Sequence, residues 1–352
     1  MVLPEKIISP AGGPLPELKL LIDGEETFDA ILRLINGAKR SIIVQTFIWR
    51  NDHIGAKVAR AMLEAAKRGV KVDISKDAAG TYFEIGDLIG GRPSMVFACG
   101  NLRNHPNVNV RVDLLKNIDH SKYFIIDKRY TIFGGMNIGD EYHKKWRDYM
   151  VFIDSPEFSE AFENKTRSFA KWPLHGQMFL AVNDRSITEI HHGVLEAIKS
   201  ARKNIILEHA YFSQTSVINA LVEASHKGVE ITVILPESPG THLYANRMTI
   251  NILLANCSPK RLAIYLLPGM THAKVGVIDD SLVIIGSANL TPRSMRRSRE
   301  VALFARGRVD DPFVMRLKES LLADIDKSRT IASPFKFTLP QNIAAVTGKY
   351  TW

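Results

Sequence analysis

The chain has 352 residues, 45% hydrophobic and 24% charged, which is enough apolar material for a sizeable core and excludes a disordered chain. Its net charge of +9 points to anionic partners, namely phospholipid headgroups, nucleic acid or a phosphorylated small molecule, without choosing among them. Two cysteines, Cys99 and Cys257, exclude a disulfide-built scaffold and fit reduced structural thiols of a cytoplasmic protein.

In chain order, the first residues hold Pro4, Pro10, Pro14 and Pro16 and lack the basic-then-apolar order of a signal peptide. No stretch reaches the roughly 18 uninterrupted apolar residues of a spanning helix. A lipid substrate would therefore be met at the membrane surface. Ile31–Ile35 followed by Ala38–Val44 predicts an amphipathic helix running into a buried strand, and Val194–Ile198 followed by Ala201–Leu207 predicts the same pair again. A second helix follows each: Ile54, Val58, Met62 and Ala65/Ala66 up to Gly69, and Val217, Leu221 and Ala224 up to Gly228. Short strands then start at Val70–Ile74 and Val229–Ile234. The order helix, strand, helix, strand predicts α/β layers on a largely central sheet.

Residues 76–110 are rich in Gly and Asn and predict a loop excursion. Residues 155–180 hold the expected junction, with Pro156 and Pro173 as breaks. The domains are accordingly set at 1–173 and 174–352. The repeat is expected to end near residue 309, with a helix over 312–326 and a Pro-containing tail beyond it.

The most informative feature is a repeated string. His120-Ser-Lys122-x-x-x-x-Asp127 recurs as His272-Ala-Lys274-x-x-x-x-Asp279. Asn137 and Asn289 each lie 17 residues after their histidine, and Asp148 and Glu300 each lie 11 residues further on. Alternation along a strand puts His120 and Lys122 on one face, and Asp127 on the other, at the turn. Asp127 and Asp279 are therefore expected to be structural. Each following strand ends in a small-residue turn, Gly134-Gly135 or Gly286-Ser287, that brings the asparagine to the sheet edge.

These side chains suit phosphodiester cleavage. Lysine and asparagine donors stabilise the charge spread over the non-bridging oxygens. One imidazole can attack phosphorus while the other protonates the leaving oxygen and later deprotonates the incoming alcohol. A carboxylate on each ring, from Asp148 and Glu300, would fix its tautomer. Their plainer alternative is a surface ion pair with Arg147 or Arg299. No metal or other cofactor is needed, because Lys122 and Lys274 supply the positive charge.

The duplicated His-x-Lys-x4-Asp motif resembles the signature of the phospholipase D superfamily, over roughly residues 15–330. That resemblance implies two pseudo-symmetric α/β domains, each a mixed central sheet flanked by helices, sharing one active site. It also implies two-step chemistry through a phosphohistidine, with His120 as nucleophile and His272 as general acid and base. Lys122, Lys274, Asn137 and Asn289 would then hold the phosphate, and Asp148 and Glu300 would orient the histidines. Within the superfamily, Thr46-Phe-Ile-Trp49, Ala210-Tyr-Phe212 and Gly286-Ser-Ala-Asn-Leu-x-Pro-Arg-Ser294 are similar to bacterial cardiolipin synthases.

The resemblance implies a phosphatidyltransferase at the inner face of the membrane. Its partners would be an anionic phospholipid surface and an alcohol acceptor such as phosphatidylglycerol. Trp49, Tyr211, Phe212 and Ser287, with Leu266-Leu267, are candidates to line a substrate groove, or else belong to ordinary packing. Competing readings are a phospholipase D that hydrolyses to phosphatidic acid, a nuclease of the same superfamily, and a non-catalytic membrane scaffold. Arg293, Arg296, Arg297 and Arg299 suit either a nucleic-acid backbone or an anionic membrane.

Overall fold

A computed structural model of the chain describes residues 17–84, 100–113, 117–172 and 177–348. Two compact units emerge, Glu17–Pro173 and a second built on Leu174–Trp352. Pro173, one of the expected breaks, and Cys99 lie outside the described residues, while Cys257 is a buried free thiol.

The first unit runs β1 (Leu18–Ile22), α1 (Asp23–Gly37), β2 (Ser41–Thr46), α2 (His53–Lys67) and β3 (Lys71–Asp77). Two short helices follow, α3 (Ala78–Tyr82) and α4 (Gly100–Arg103), then β4 (Val108–Asp113), β5 (Tyr123–Ile126) and β6 (Tyr130–Gly134). It closes with α5 (Asp140–Lys144), β7 (Tyr149–Asp154) and α6 (Pro156–Ser168).

The second unit runs β8 (Met178–Asp184), β9 (Ile187–Thr188), α7 (Glu189–Ser200), β10 (Asn204–His209), α8 (Thr215–His226), β11 (Glu230–Pro236), α9 (Leu243–Asn256) and β12 (Leu262–Leu267). Then come β13 (Lys274–Ile278), β14 (Leu282–Gly286), α10 (Pro292–Arg296), β15 (Glu300–Arg306), α11 (Pro312–Asp326), β16 (Arg329–Thr330) and α12 (Leu339–Gly348).

The sheets repeat one topology. The first has the order β1-β7-β6-β5-β2-β3-β4, and the second contains β8-β15-β14-β13-β10-β11-β12, with β9 and β16 added at its edges. In both, the central pair is antiparallel (β2 with β5, β10 with β13); the strands beyond β2 and β10 run parallel, and those beyond β5 and β13 antiparallel. This is the mixed α/β sheet flanked by helices that the resemblance implies. Central strands buried on both faces, such as Ile42-Ile-Val44, carry continuous apolar runs for that reason.

Local chemistry explains the boundaries. Asp52 caps α2 by accepting from the Gly55 amide at 2.9 Å, and Ile54, Val58, Met62, Ala65 and Ala66 form its buried face. Gly69 (φ 96°) and Gly228 (φ 92°) end α2 and α8 in left-handed conformations that only glycine adopts cheaply.

Three expectations are corrected. The described part of residues 76–110 holds the end of β3, α3, α4 and the start of β4, so it is not simply loop; residues 85–99 lie outside the described residues. Pro156 is not a break but the first residue of α6, whose Ser155 cap accepts from the Phe158 amide at 3.1 Å. The repeat also runs past residue 309 by one helix, since α6 and α11 both follow the last common strand with proline in the first turn. They differ in seating: α6 packs on β6 and β7, α11 on β12 and β13.

Candidate active site

In the first unit the site forms where β5 enters the sheet beside the C-terminal end of β2. That is the crevice outside the carboxyl ends of parallel strands that α/β folds commonly use for ligands. The expectation that His120 and Lys122 lie on one strand needs adjusting, because β5 begins only at Tyr123. An extended lead-in carries both instead, and acidic side chains hold it. Asp77, at the end of β3, accepts from the Asp119 amide at 2.7 Å, and Asp119 accepts from the Ser121 amide at 3.0 Å. Burial raises the Asp77 carboxyl above its usual range.

Lys122 is buried, and its ammonium donates to the His120 carbonyl while sitting 5.4 Å from the Phe47 ring centroid. The half-buried His120 ring packs edge-on against the same phenylalanine, centroids 5.0 Å apart. Lysine and histidine are thus fixed against one aromatic wall.

The second unit builds the same constellation with different neighbours. The Lys274 ammonium donates to the His272 carbonyl at 2.5 Å and lies 3.1 Å and 3.2 Å from its two ring nitrogens. Ala210 stands where the first unit has Phe47, so the aromatic wall is missing. His209 instead faces Lys274 across the β10–β13 pair. Burial, and then the Lys274 charge, push the His209 ring down to about 3, so it is neutral; its Nδ1 has no hydrogen-bond partner. The neighbouring Glu208 is fully buried and accepts from the Thr271 hydroxyl.

The asparagines sit at equivalent turns with unequal partners. Asn137 accepts from the Ile48 amide at 3.0 Å and donates to the Tyr142 hydroxyl at 3.0 Å. Asn289 is 6% exposed and its amide oxygen is without a partner. Both acids are buried: Asp148 accepts from the Tyr149 amide at 2.8 Å, and Glu300 accepts from the Ser287 hydroxyl at 2.5 Å.

Neither acid is at the surface, and Arg147 pairs with Asp23 at 2.8 Å and Arg299 with Asp184 at 3.2 Å. Asp127 accepts from the Lys39, Arg40 and Ser41 amides at 2.7–3.0 Å, and Asp279 from the Arg202, Lys203 and Asn204 amides at 2.7–3.2 Å. Each ties the entry of β2 or β10 to the turn after the motif strand.

Trp49 and Phe212 are equivalent, each 1% exposed, bridging to Ile138 and Leu290. Their burial matches the packing alternative. Their backbone amides are held by Glu84 at 2.8 Å and Asn246 at 2.9 Å. Tyr211 is half-buried beside the His242 ring, centroids 4.7 Å apart.

Sequence reading missed His209, Phe47, the Glu84 and Asn246 clamps and the duplicated Arg–Asp pairs. Strand parity along Asn204–His209 was the signal for His209. His191 is buried with Nε2 2.7 Å from the Ser216 hydroxyl. Among the described residues, no three His, Cys, Asp or Glu side chains converge as a metal site requires, and no helix is long and apolar enough to cross a membrane. The positive charge at each motif is its lysine.

Comparison with known proteins follows the same outline. The sequence profile of the family described as "Cardiolipin synthase, PLD-like domain" matches residues 31–169 and 194–324. Cardiolipin synthase A of Pseudomonas entomophila is 30% identical over 351 residues, covering 90% of this chain and 70% of the relative. Cardiolipin synthase of Listeria welshimeri is 28% identical over 345 residues, covering 89% and 69%. Among solved structures, a phosphatidylserine synthase of Haemophilus influenzae aligns with a TM-score of 0.75 at 12% identity, over 96% of this chain and 95% of that one, a likeness of fold.

Proposed function

The chain belongs to the cardiolipin synthase, PLD-like domain family, and from that premise we propose that it is a phosphatidyltransferase that makes cardiolipin from two molecules of phosphatidylglycerol. The observation that carries the reading is the presence of two complete His-Lys-Asn-acid sets, each at the same end of its unit's sheet and, but for the half-buried His120, buried.

In the first step a ring nitrogen of His120 attacks the phosphorus of one phosphatidylglycerol. The bond from phosphorus to the headgroup glycerol oxygen breaks, and His272 donates a proton to that oxygen, releasing glycerol. In the second step His272 takes the proton from a glycerol hydroxyl of another phosphatidylglycerol. That oxygen attacks phosphorus, the phosphorus–nitrogen bond breaks, and cardiolipin leaves with His120 restored. Lys122, Lys274, Asn137 and Asn289 hold the non-bridging oxygens as charge builds on them.

Asp148 and Glu300 act through position, keeping each ring in one tautomer. Asp127 and Asp279 are structural. Tyr211 lines the glycerol or acyl side, and Ser287 serves Glu300. The enzyme works from the inner membrane surface on lipid presented by an anionic bilayer.

Mass spectrometry of products from phosphatidylglycerol vesicles tests this, with wild type beside His120→Ala. Cardiolipin and free glycerol from wild type alone are expected. Phosphatidic acid would make water the acceptor and the enzyme a phospholipase D. No lipid turnover would sink the reading and make DNA the next substrate to try.

A further inference from the structure

The large apolar side chains that stay exposed are unevenly placed. Of the six among the described residues, three lie on α12: Leu339 is 75% exposed, Ile343 58% and Val346 51%. Their spacing of four and then three residues sets them on one face of the helix. The other side is anchored. Ala345 is buried, Gln341 donates to the Tyr244 hydroxyl of α9 at 3.5 Å, and Asn251 of α9 exchanges two hydrogen bonds with the Phe335 backbone, at 2.7 Å and 2.8 Å. The helix is fixed by one face, and among the described residues its apolar face is left exposed.

Charge along the flanking sequence is one-sided. Residues 238–278, which include α9, contain no Asp or Glu, and neither do residues 327–352, which include α12. The same stretches carry Arg247, Lys260, Lys327 and Lys336, besides Arg261 and Arg329, which pair with Glu230 at 3.0 Å and Glu237 at 2.9 Å. An apolar helix face beside these cations is complementary to an anionic bilayer, where the stripe enters the acyl boundary and the cations meet phosphate. A second copy of the same surface would instead meet like charge.

We infer that α12 is the element that seats this protein on an anionic membrane, through Leu339, Ile343 and Val346. The inference rests on the lipid-acting reading above, and adds the surface by which the bilayer is engaged. It involves none of the residues placed at the chemistry.

The test is sedimentation with phosphatidylglycerol–phosphatidylcholine vesicles, comparing wild type with a triple variant, Leu339→Ser, Ile343→Asp and Val346→Ser. All three side chains are more than half exposed, so the fold does not depend on them; thermal melting of the triple variant and of Ile343→Asp alone checks this. The variant should bind vesicles about tenfold or more weakly. It should keep wild-type turnover of a short-chain phosphatidylglycerol presented as monomers. Wild-type binding should also fall when phosphatidylglycerol is left out. Equal binding of the two proteins would overturn the inference. So would a wild-type dimer in solution that the variant turns into monomer while vesicle binding persists. Wild type that binds vesicles through these residues but turns over no lipid would sink the transferase reading and leave the docking face standing.

Discussion

The Asp148 carboxylate occupies the space that a side chain on Gly135 would take: a Cβ there would stand 2.4 Å from Asp148 Oδ1. The second unit solves the same position differently. Ser287 stands in place of glycine, and its hydroxyl reaches Glu300 at 2.5 Å. Gly135→Ala should displace Asp148, costing about 1–3 kcal/mol of stability and most of the activity. Gly135→Ser combined with Asp148→Glu copies the second unit's arrangement and should recover part of both. Thermal denaturation and turnover on phosphatidylglycerol measure the two effects. A Gly135→Ala enzyme with wild-type turnover would show that Asp148 does not act through its place.

Asp127 sits at φ 55° and receives three backbone amides. Asp127→Ala removes the acceptors and puts a residue with no local stabilisation into the left-handed region. A loss of about 2–3 kcal/mol is expected in urea denaturation. Asp127→Asn, which keeps one acceptor oxygen and tolerates that conformation, should lose less. Turnover per folded molecule should stay near wild type in both, which separates a structural aspartate from a catalytic one.

Lys76 and Glu84 form an ion pair at 3.0 Å with both side chains wholly buried, and the Trp49 amide also donates to Glu84. Burial pulls the Lys76 ammonium below its ordinary range despite its partner. Lys76→Met leaves Glu84 buried with its charge uncompensated and should cost about 3–5 kcal/mol. Adding Glu84→Gln removes that charge and still accepts from Trp49, so the double variant should be more stable than the single. Denaturant midpoints of the three proteins decide it.

His209 gives a pH signature. Its folded value of about 3 lies below the ordinary 6.5, so below about pH 6.5 the unfolded chain takes up a proton that the native ring refuses. Stability is therefore full above that pH and falls as pH drops toward 3, by about 1.4 kcal/mol per unit for this group. His191, pushed down to about 4, adds a parallel slope. Unfolding midpoints measured from pH 7 to pH 5 should fall less steeply in His209→Gln than in wild type.

Much of this was legible in the sequence because duplication is. The succession of helix and strand, the two motifs and the small-residue turns follow from periodicity and spacing, which depend on residues near one another in the chain. What stayed hidden depends on distant pairs. Phe47 meets His120 and Glu84 clamps Trp49 only after β2 and β3 have paired and α3 has folded back. His209 reads as one more histidine until β10 lies against β13. Pro156 looked like a break because a proline that starts a helix and one that ends it are the same letter, told apart only by the capping Ser155.

The pairing of each unit's first strand with a late one governs how the chain can be made. Leu18 of β1 waits for Ile153 of β7, an interval of about 7–27 s at the usual 5–20 residues per second of synthesis. When β7 is made, β1 is already present, whereas β8, the equivalent strand of the second copy, has not yet been made. Order of synthesis thus separates two edges of the same topology. A chain refolding from denaturant has both at once, and so faces a choice between correct and exchanged partners that the ribosome never offers it.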